Sequence, residues 1–250
     1  MSCVRCGEKK TIKAHLIPQV FCKEVQVGKA HATGVGEDGK FHVTQSGTFD
    51  KEILCAKCDG ILGKLEDYTA KILRLIRENS IGLQIGPKVV SGIENEKILR
   101  FCAGILWKYS ITKEEYGKID LYGFQDEVYR IAYSEQEIPE WFNVAMFRLQ
   151  THPNDSGVFA YRAPLIDRKN RVRLYRFMLG GCLFFVKVHR KKMRDDPMPD
   201  LWLNGESTFK YCLFPAQKFE EFNMSKELAY NTESLSKFLD KQDALAESKT

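Results

Sequence analysis

Cys55-Ala56-Lys57-Cys58-Asp59, preceded by Ile53-Leu54, decides how this chain is read. Two residues between cysteines let both sulfurs turn toward one point. Just beyond, after Gly63, apolar residues recur at helical spacing. Leu65, Tyr68, Ile72, Leu75 and Ile76 share one face, with Lys64, Asp67, Lys71, Arg74 and Arg77 largely away from it. The cysteine pair therefore stands at the start of a helix that should stop near Asn79-Ser80. Nearer the N-terminus, Cys3-Val4-Arg5-Cys6 repeats the spacing, and Gly7 suits the positive φ of a tight knuckle. Two such knuckles supply four sulfurs for tetrahedral Zn²⁺, so a structural zinc on Cys3, Cys6, Cys55 and Cys58 is expected. A redox dithiol would follow a strand of a βαβ pattern, which surrounds neither pair. Cys22, Cys102, Cys182 and Cys212 lie isolated among apolar neighbours and read as small buried hydrophobes.

The chain around these pairs has 250 residues, 44% hydrophobic and 28% charged, with mean hydropathy −0.33. That composition excludes a largely disordered or fibrous protein and leaves room for one large domain or two modest ones. The first 60 residues hold five cysteines, three of the five histidines, and glycines at 28, 34, 36, 39 and 47. A segment so poor in apolar runs needs a metal or another domain as a staple. We therefore expect a zinc domain over 1–80 and an α+β domain over 81–250. No run of 18 apolar residues occurs and no apolar signal core opens the chain, so neither a membrane span nor export is expected. A cytoplasmic, reducing setting follows, in which thiols bind metal or stay free. No repeat of 20–50 residues is visible.

Gly82, Gly86-Pro87 and Gly92 mark a loop or short extended segment. A helix fits 95–110, with Ile98, Cys102, Ile105, Leu106 and Tyr109 as its buried stripe, and another fits 122–133 through Phe124, Val128, Ile131 and Ala132. From Phe142 the period shifts toward two. Strands are expected from 142, over 158–165, 171–178 and 182–189, with turns at Asp167-Arg168-Lys169-Asn170 and Gly180-Gly181. The last three would form an antiparallel meander. Residues 217–245 read as short surface helices before a frayed tail. The fold class is α+β: a ββα, treble-clef zinc domain, then helices and an antiparallel β-rich domain. His31 and His42, in the glycine-rich stretch, read as loop residues.

Between the cysteine pairs lies Ala14-His15-Leu16-Ile17-Pro18. The order Cys3, Cys6, His15-Leu16-Ile17-Pro18, then Leu54-Cys55-Ala56-Lys57-Cys58-Asp59, resembles the zinc-containing, four-cysteine HNH (ββα-metal) endonucleases over about residues 1–75. The resemblance implies His15 as general base toward water attacking a phosphodiester, with Mg²⁺ or Mn²⁺ on the leaving oxygen. It places Asp59 where the family has a metal ligand, and Asp50 nearest the family's central Asn. Glu66 could approach the same site. Ala14 stands where the family has Asp or His, and an alanine cannot ligate.

Residues 160–194 carry eleven Lys/Arg and one acid, Asp167, so this segment is +10 within a chain of net +5. Arg171 and Arg173 share a strand face, and Tyr161, Tyr175 and Phe185 interleave with the cations. Arg171, Arg173, Arg176, Arg190, Lys191 and Lys192 are the candidate nucleic-acid contacts, with DNA as the expected ligand. A solvated sheet face is the plain alternative, and the acidic segment 220–247 could neutralise part of the charge internally. No GxxxxGK[ST], GxGxxG after a strand, GxSxG or HExxH occurs, so ATPase, dehydrogenase and serine-hydrolase chemistry lack support. Two readings remain. One is a divalent-metal-dependent DNA endonuclease. The other is a catalytically inactive, zinc-stapled module that binds nucleic acid or a protein partner.

Overall fold

The computed structural model describes residues 2–26, 31–35, 41–169, 172–194 and 196–247. In chain order the elements are β1 (Ala14–His15), α1 (Gln19–Glu24), β2 (His31–Val35), β3 (Phe41–Thr44), β4 (Phe49–Asp50) and α2 (Ala56–Asn79). Then come β5 (Gly86–Val90), α3 (Asn95–Ile111), α4 (Gln125–Ala132), β6 (Phe142–Gln150), β7 (Arg162–Lys169), β8 (Val172–Leu179) and β9 (Cys182–Val188). β10 (Phe209–Pro215), α5 (Glu220–Asn231) and α6 (Glu233–Glu247) end the chain. The class is α+β.

The main sheet has six strands in the order β5-β10-β6-β9-β8-β7. The expected meander is present: β7, β8 and β9 pair antiparallel, and Gly180 and Gly181 take φ of +54° and +70° in the turn between the last two. The sheet is nevertheless mixed, because β10 runs parallel to β6 and carries β5 on its outer side. The sequence reading contained no β10. Phe209 and Tyr211 face one core and Cys212 the other, and a strand buried on both faces offers few polar residues to mark its alternation.

One apolar cluster runs from Cys3, Leu16 and Ile17 through Phe101 and Leu106 to Phe177, Phe184 and Leu213. The first 80 residues thus share a core with α3 and one face of the sheet. The other face packs Phe147, Leu174, Met178 and Phe185 under Met198, Leu201, Trp202, Phe219 and Phe222. α3 is central and buried almost all round. Its expected stripe, Ile98, Cys102, Ile105, Leu106 and Tyr109, is buried throughout.

α2 starts nine residues before the first apolar position of its sequence pattern, at Ala56, and its buried side is rotated. Leu62, Ala70, Leu73 and Ile76 are enclosed, while Leu75 is 42% exposed. Arg77, expected on the outside, is buried because Glu24 and the Gly180 carbonyl accept its N–H groups at 3.0 Å each. Burial of a charge is tolerated when every polar atom finds such a partner. The glycine-rich stretch is likewise more than a loop. β2 and β3 pair antiparallel, and His31 is 4% exposed with Nε2 at 3.0 Å from the Tyr161 hydroxyl.

Candidate functional site

The two cysteine knuckles are assembled by backbone. Gly7 N–H donates to Cys3 O at 2.9 Å and Cys3 N–H to Glu8 O at 2.8 Å, closing a turn in which Gly7 has φ +75°. Cys55 is the extended residue that caps α2, which places Cys58 in the first turn of the helix. Val4 N–H to Ile53 O and Ile12 N–H to Leu54 O, both 2.9 Å, tie the knuckles together. The four Sγ atoms lie within 4.8 Å of one another, with Cys6 and Cys55 at 3.6 Å. Tetrahedral zinc with Zn–S of about 2.3 Å separates its sulfurs by roughly 3.8 Å, so the spacing and the soft donor set both fit zinc.

Thiol electrostatics point the same way. Burial opposes ionisation of Cys3, but backbone N–H groups of Cys55, Cys6 and Arg5 outweigh it and bring the thiol down to about 6. Burial pushes Cys58 up to about 12, against the pull of Arg5, whose Nη1 is 3.7 Å from its sulfur. Four thiols this close cannot all ionise without a cation among them. When bound, zinc supplies that cation and staples the N-terminal segment. Arg5 also pairs with Glu135 at 3.0 Å and lies 4.4 Å over the Tyr133 ring, which links the knuckle to the turn that ends α4.

Two short strands and the helix that follows them hold the remaining candidate residues. β1 pairs antiparallel with β4, Ala14 opposite Asp50 and His15 opposite Phe49, and α2 follows. Asp50 is 1% exposed, and its carboxylate accepts the Thr112 hydroxyl at 2.7 Å and the Glu52 N–H at 2.8 Å. His15 packs edge-on to Phe49 with ring centroids 5.9 Å apart, and its Nε2 is buried without a hydrogen bond. Burial lowers the His15 pKa; Lys108 and Lys13 add to the effect and Glu66 opposes it. Burial raises the Asp59 pKa, Lys108 pulls it down and Glu66 pushes it up.

Lys108 joins these groups, and the sequence reading passed over it. Its Nζ, on α3, donates to the His15 carbonyl at 2.6 Å and to Glu66 Oε1 at 2.7 Å, and the residue is fully buried. The available signal was a single charge inside the otherwise uncharged run Phe101–Ile111. Among the described residues, the four cysteines are the group of three or more Cys, His, Asp or Glu whose ligand atoms converge. His15, Asp50 and Asp59 are not drawn into a second such group. Asp50 is turned to Thr112, Ala14 offers no donor, and the Lys108 ammonium acts on both His15 and Asp59.

The candidate nucleic-acid contacts divide between the two faces of the sheet. Strand alternation sets Arg173 and Arg176 on opposite sides. Arg176 pairs with Glu220 at 2.8 Å and Glu221 at 3.1 Å, both on α5, and Arg162 lies 3.6 Å from Glu221. The acidic helix therefore neutralises that side. Arg173 lies on the other side, 4.0 Å over the Tyr122 ring. Arg190 is exposed, pairs with Glu127 at 2.8 Å and stands 5.7 Å over Phe124, and Lys191 and Lys192 are exposed beside it. Burial and the charges of Arg173, Lys191 and Lys187 hold His189 below its ordinary pKa, so these cations share one field. Arg171 lies outside the described residues. No family model, curated protein or solved structure matches the chain. Among the described residues, no helix is long and apolar enough to cross a membrane.

Proposed function

We propose that the protein is a zinc-stapled nucleic-acid-binding module on an HNH-like scaffold, and that it does not hydrolyse its ligand. Lys108 carries the reading. A hydrolytic centre between His15 and the acids of α2 must accept a dication. Here that neighbourhood already holds a buried ammonium in an ion pair with Glu66. Two positive charges side by side in a buried site repel strongly. The binding half rests on the surface: Arg173 and Arg190 each lie over an aromatic ring, and Arg173 and Lys191 act together on His189, a combination suited to phosphates and bases.

A second reading, the divalent-metal-dependent endonuclease, is favoured by one observation. His15 is held toward its neutral form and its Nε2 has no hydrogen-bond partner, which is the state a general base requires.

One experiment decides between them. Labelled DNA and RNA, single- and double-stranded, are mixed with zinc-loaded protein in Mg²⁺ or Mn²⁺. Binding at low salt that falls steeply with rising salt, with no cleavage by wild type or His15→Ala, is the expected result. Cleavage by wild type that drops about 10²–10⁴-fold in His15→Ala would establish the nuclease instead. No binding to any of the four ligands would reject both.

A further inference from the structure

We infer that Tyr122 is a stacking platform for an unpaired base, and that the module's ligand is single-stranded nucleic acid. The inference rests on the nucleic-acid reading and narrows it. Tyr122 sits at φ +48°, a left-handed conformation that residues with a Cβ rarely adopt, and Gly123 follows at +88°. Such an outlier persists only where its surroundings hold it. Asp120 does so from both ends: its carboxylate accepts the Tyr122 N–H at 2.5 Å, and its carbonyl accepts the Tyr175 hydroxyl at 2.5 Å. Tyr175 is itself a fully buried strand residue, so the brace is anchored in the sheet.

The result is an aromatic side chain left 45% exposed although the core lies close by. The Arg173 guanidinium is fixed over its ring at 4.0 Å. Two residues on, Phe124 pairs with Trp141, ring centroids 4.8 Å apart, and Arg190 stands over Phe124. Glu127 neutralises part of Arg190, whereas Lys191 adds to the positive charge that Arg173 places near His189. Cations beside an exposed ring match a strand whose phosphates and base faces are both accessible. A duplex offers the phosphates but keeps its base faces stacked, and an acidic peptide offers only charge.

The test uses full-length, zinc-loaded protein and a fluorescent oligothymidylate, followed by anisotropy at low salt. Wild type should bind the single strand more tightly than a duplex of equal length. Tyr122→Gly should weaken single-strand binding about 5- to 100-fold, the range of one lost base stack, and leave duplex binding unchanged. Its melting temperature should hold, because glycine accepts the left-handed backbone at no steric cost. Tyr122→Trp should retain the affinity. Equal affinity for both ligands, undisturbed by Tyr122→Gly, would overturn the platform while leaving nucleic-acid binding standing. A drop in affinity matched by a drop in melting temperature would make Tyr122 structural and overturn it too. Displacement by polyglutamate as efficient as by unlabelled oligothymidylate would transfer the surface to an acidic protein partner. Failure to bind any nucleic acid would remove the parent reading itself.

Discussion

Cys55→Ser should yield protein without zinc and without an ordered N-terminal segment. The side chain is 4% exposed and makes no hydrogen bond to the start of α2, where serine is itself a good N-cap, so the substitution acts by removing a metal ligand. Structural zinc contributes an apparent ~10–16 kcal/mol in small zinc modules, and a domain of ordinary stability has only about 5–15 kcal/mol in total. The damage should not stop at the knuckle. Cys3, Cys55 and Cys58 belong to the same apolar cluster as Leu62, Leu73 and Phe101. We therefore expect α2 and α3 to loosen as well, read as lost helical circular dichroism and rapid proteolysis. Cys102→Ser, away from the knuckles, should keep its zinc. Elemental analysis checks the metal content. Zinc-free Cys55→Ser with the wild-type melting temperature would sink the claim.

Lys108→Met should destabilise the fold by about 3–5 kcal/mol, the usual cost of removing one member of a buried ion pair. Both sides of the pair are enclosed: the Lys108 side chain is 1% exposed and that of Glu66 19%. Methionine fills a similar volume but leaves the Glu66 carboxylate and the His15 carbonyl without their donor. The double variant Lys108→Met with Glu66→Met should recover much of the loss, because no unpaired charge then remains buried. Urea unfolding of the two single variants and the double variant measures this coupling. A loss below about 1 kcal/mol for Lys108→Met would show that the ammonium is not held as described.

The same substitution has a titration signature. Burial and the Lys108 charge both keep the His15 pKa below its ordinary value. A group whose folded pKa is lowered contributes stability above its unfolded value, near pH ~6.5. That contribution is lost as the pH falls from there through the folded pKa. Without Lys108 the folded pKa should rise, since Glu66 then works against burial and Lys13 alone. His15 should protonate at higher pH by NMR, and its share of acid destabilisation should shrink.

Much of this was legible in the residues because it is local. A CxxC spacing fixes where two sulfurs can meet within one turn of chain, and two such pairs suffice to indicate zinc. The α3 stripe and the β7–β8–β9 meander are equally local, written in a period of about 3.6 or two and in the Gly180-Gly181 turn. Even the division between Arg173 and Arg176 follows from strand alternation, although a charge count over 160–194 conceals it.

Tertiary structure alone decided what surrounds the candidate site. Lys108 meets Glu66 across 42 residues and the His15 carbonyl across 93, and Asp50 meets Thr112 across 62. His31 finds Tyr161 at a separation of 130. No period or spacing encodes such pairs. They form because packing encloses a polar group, and an enclosed polar group must find whichever partner the fold brings within reach. The four cysteines were legible because each CxxC pair closes within a turn, although joining the two pairs took the long-range Val4–Ile53 and Ile12–Leu54 bonds. The fate of His15 and Asp59 was not, because it depends on a charge delivered from α3.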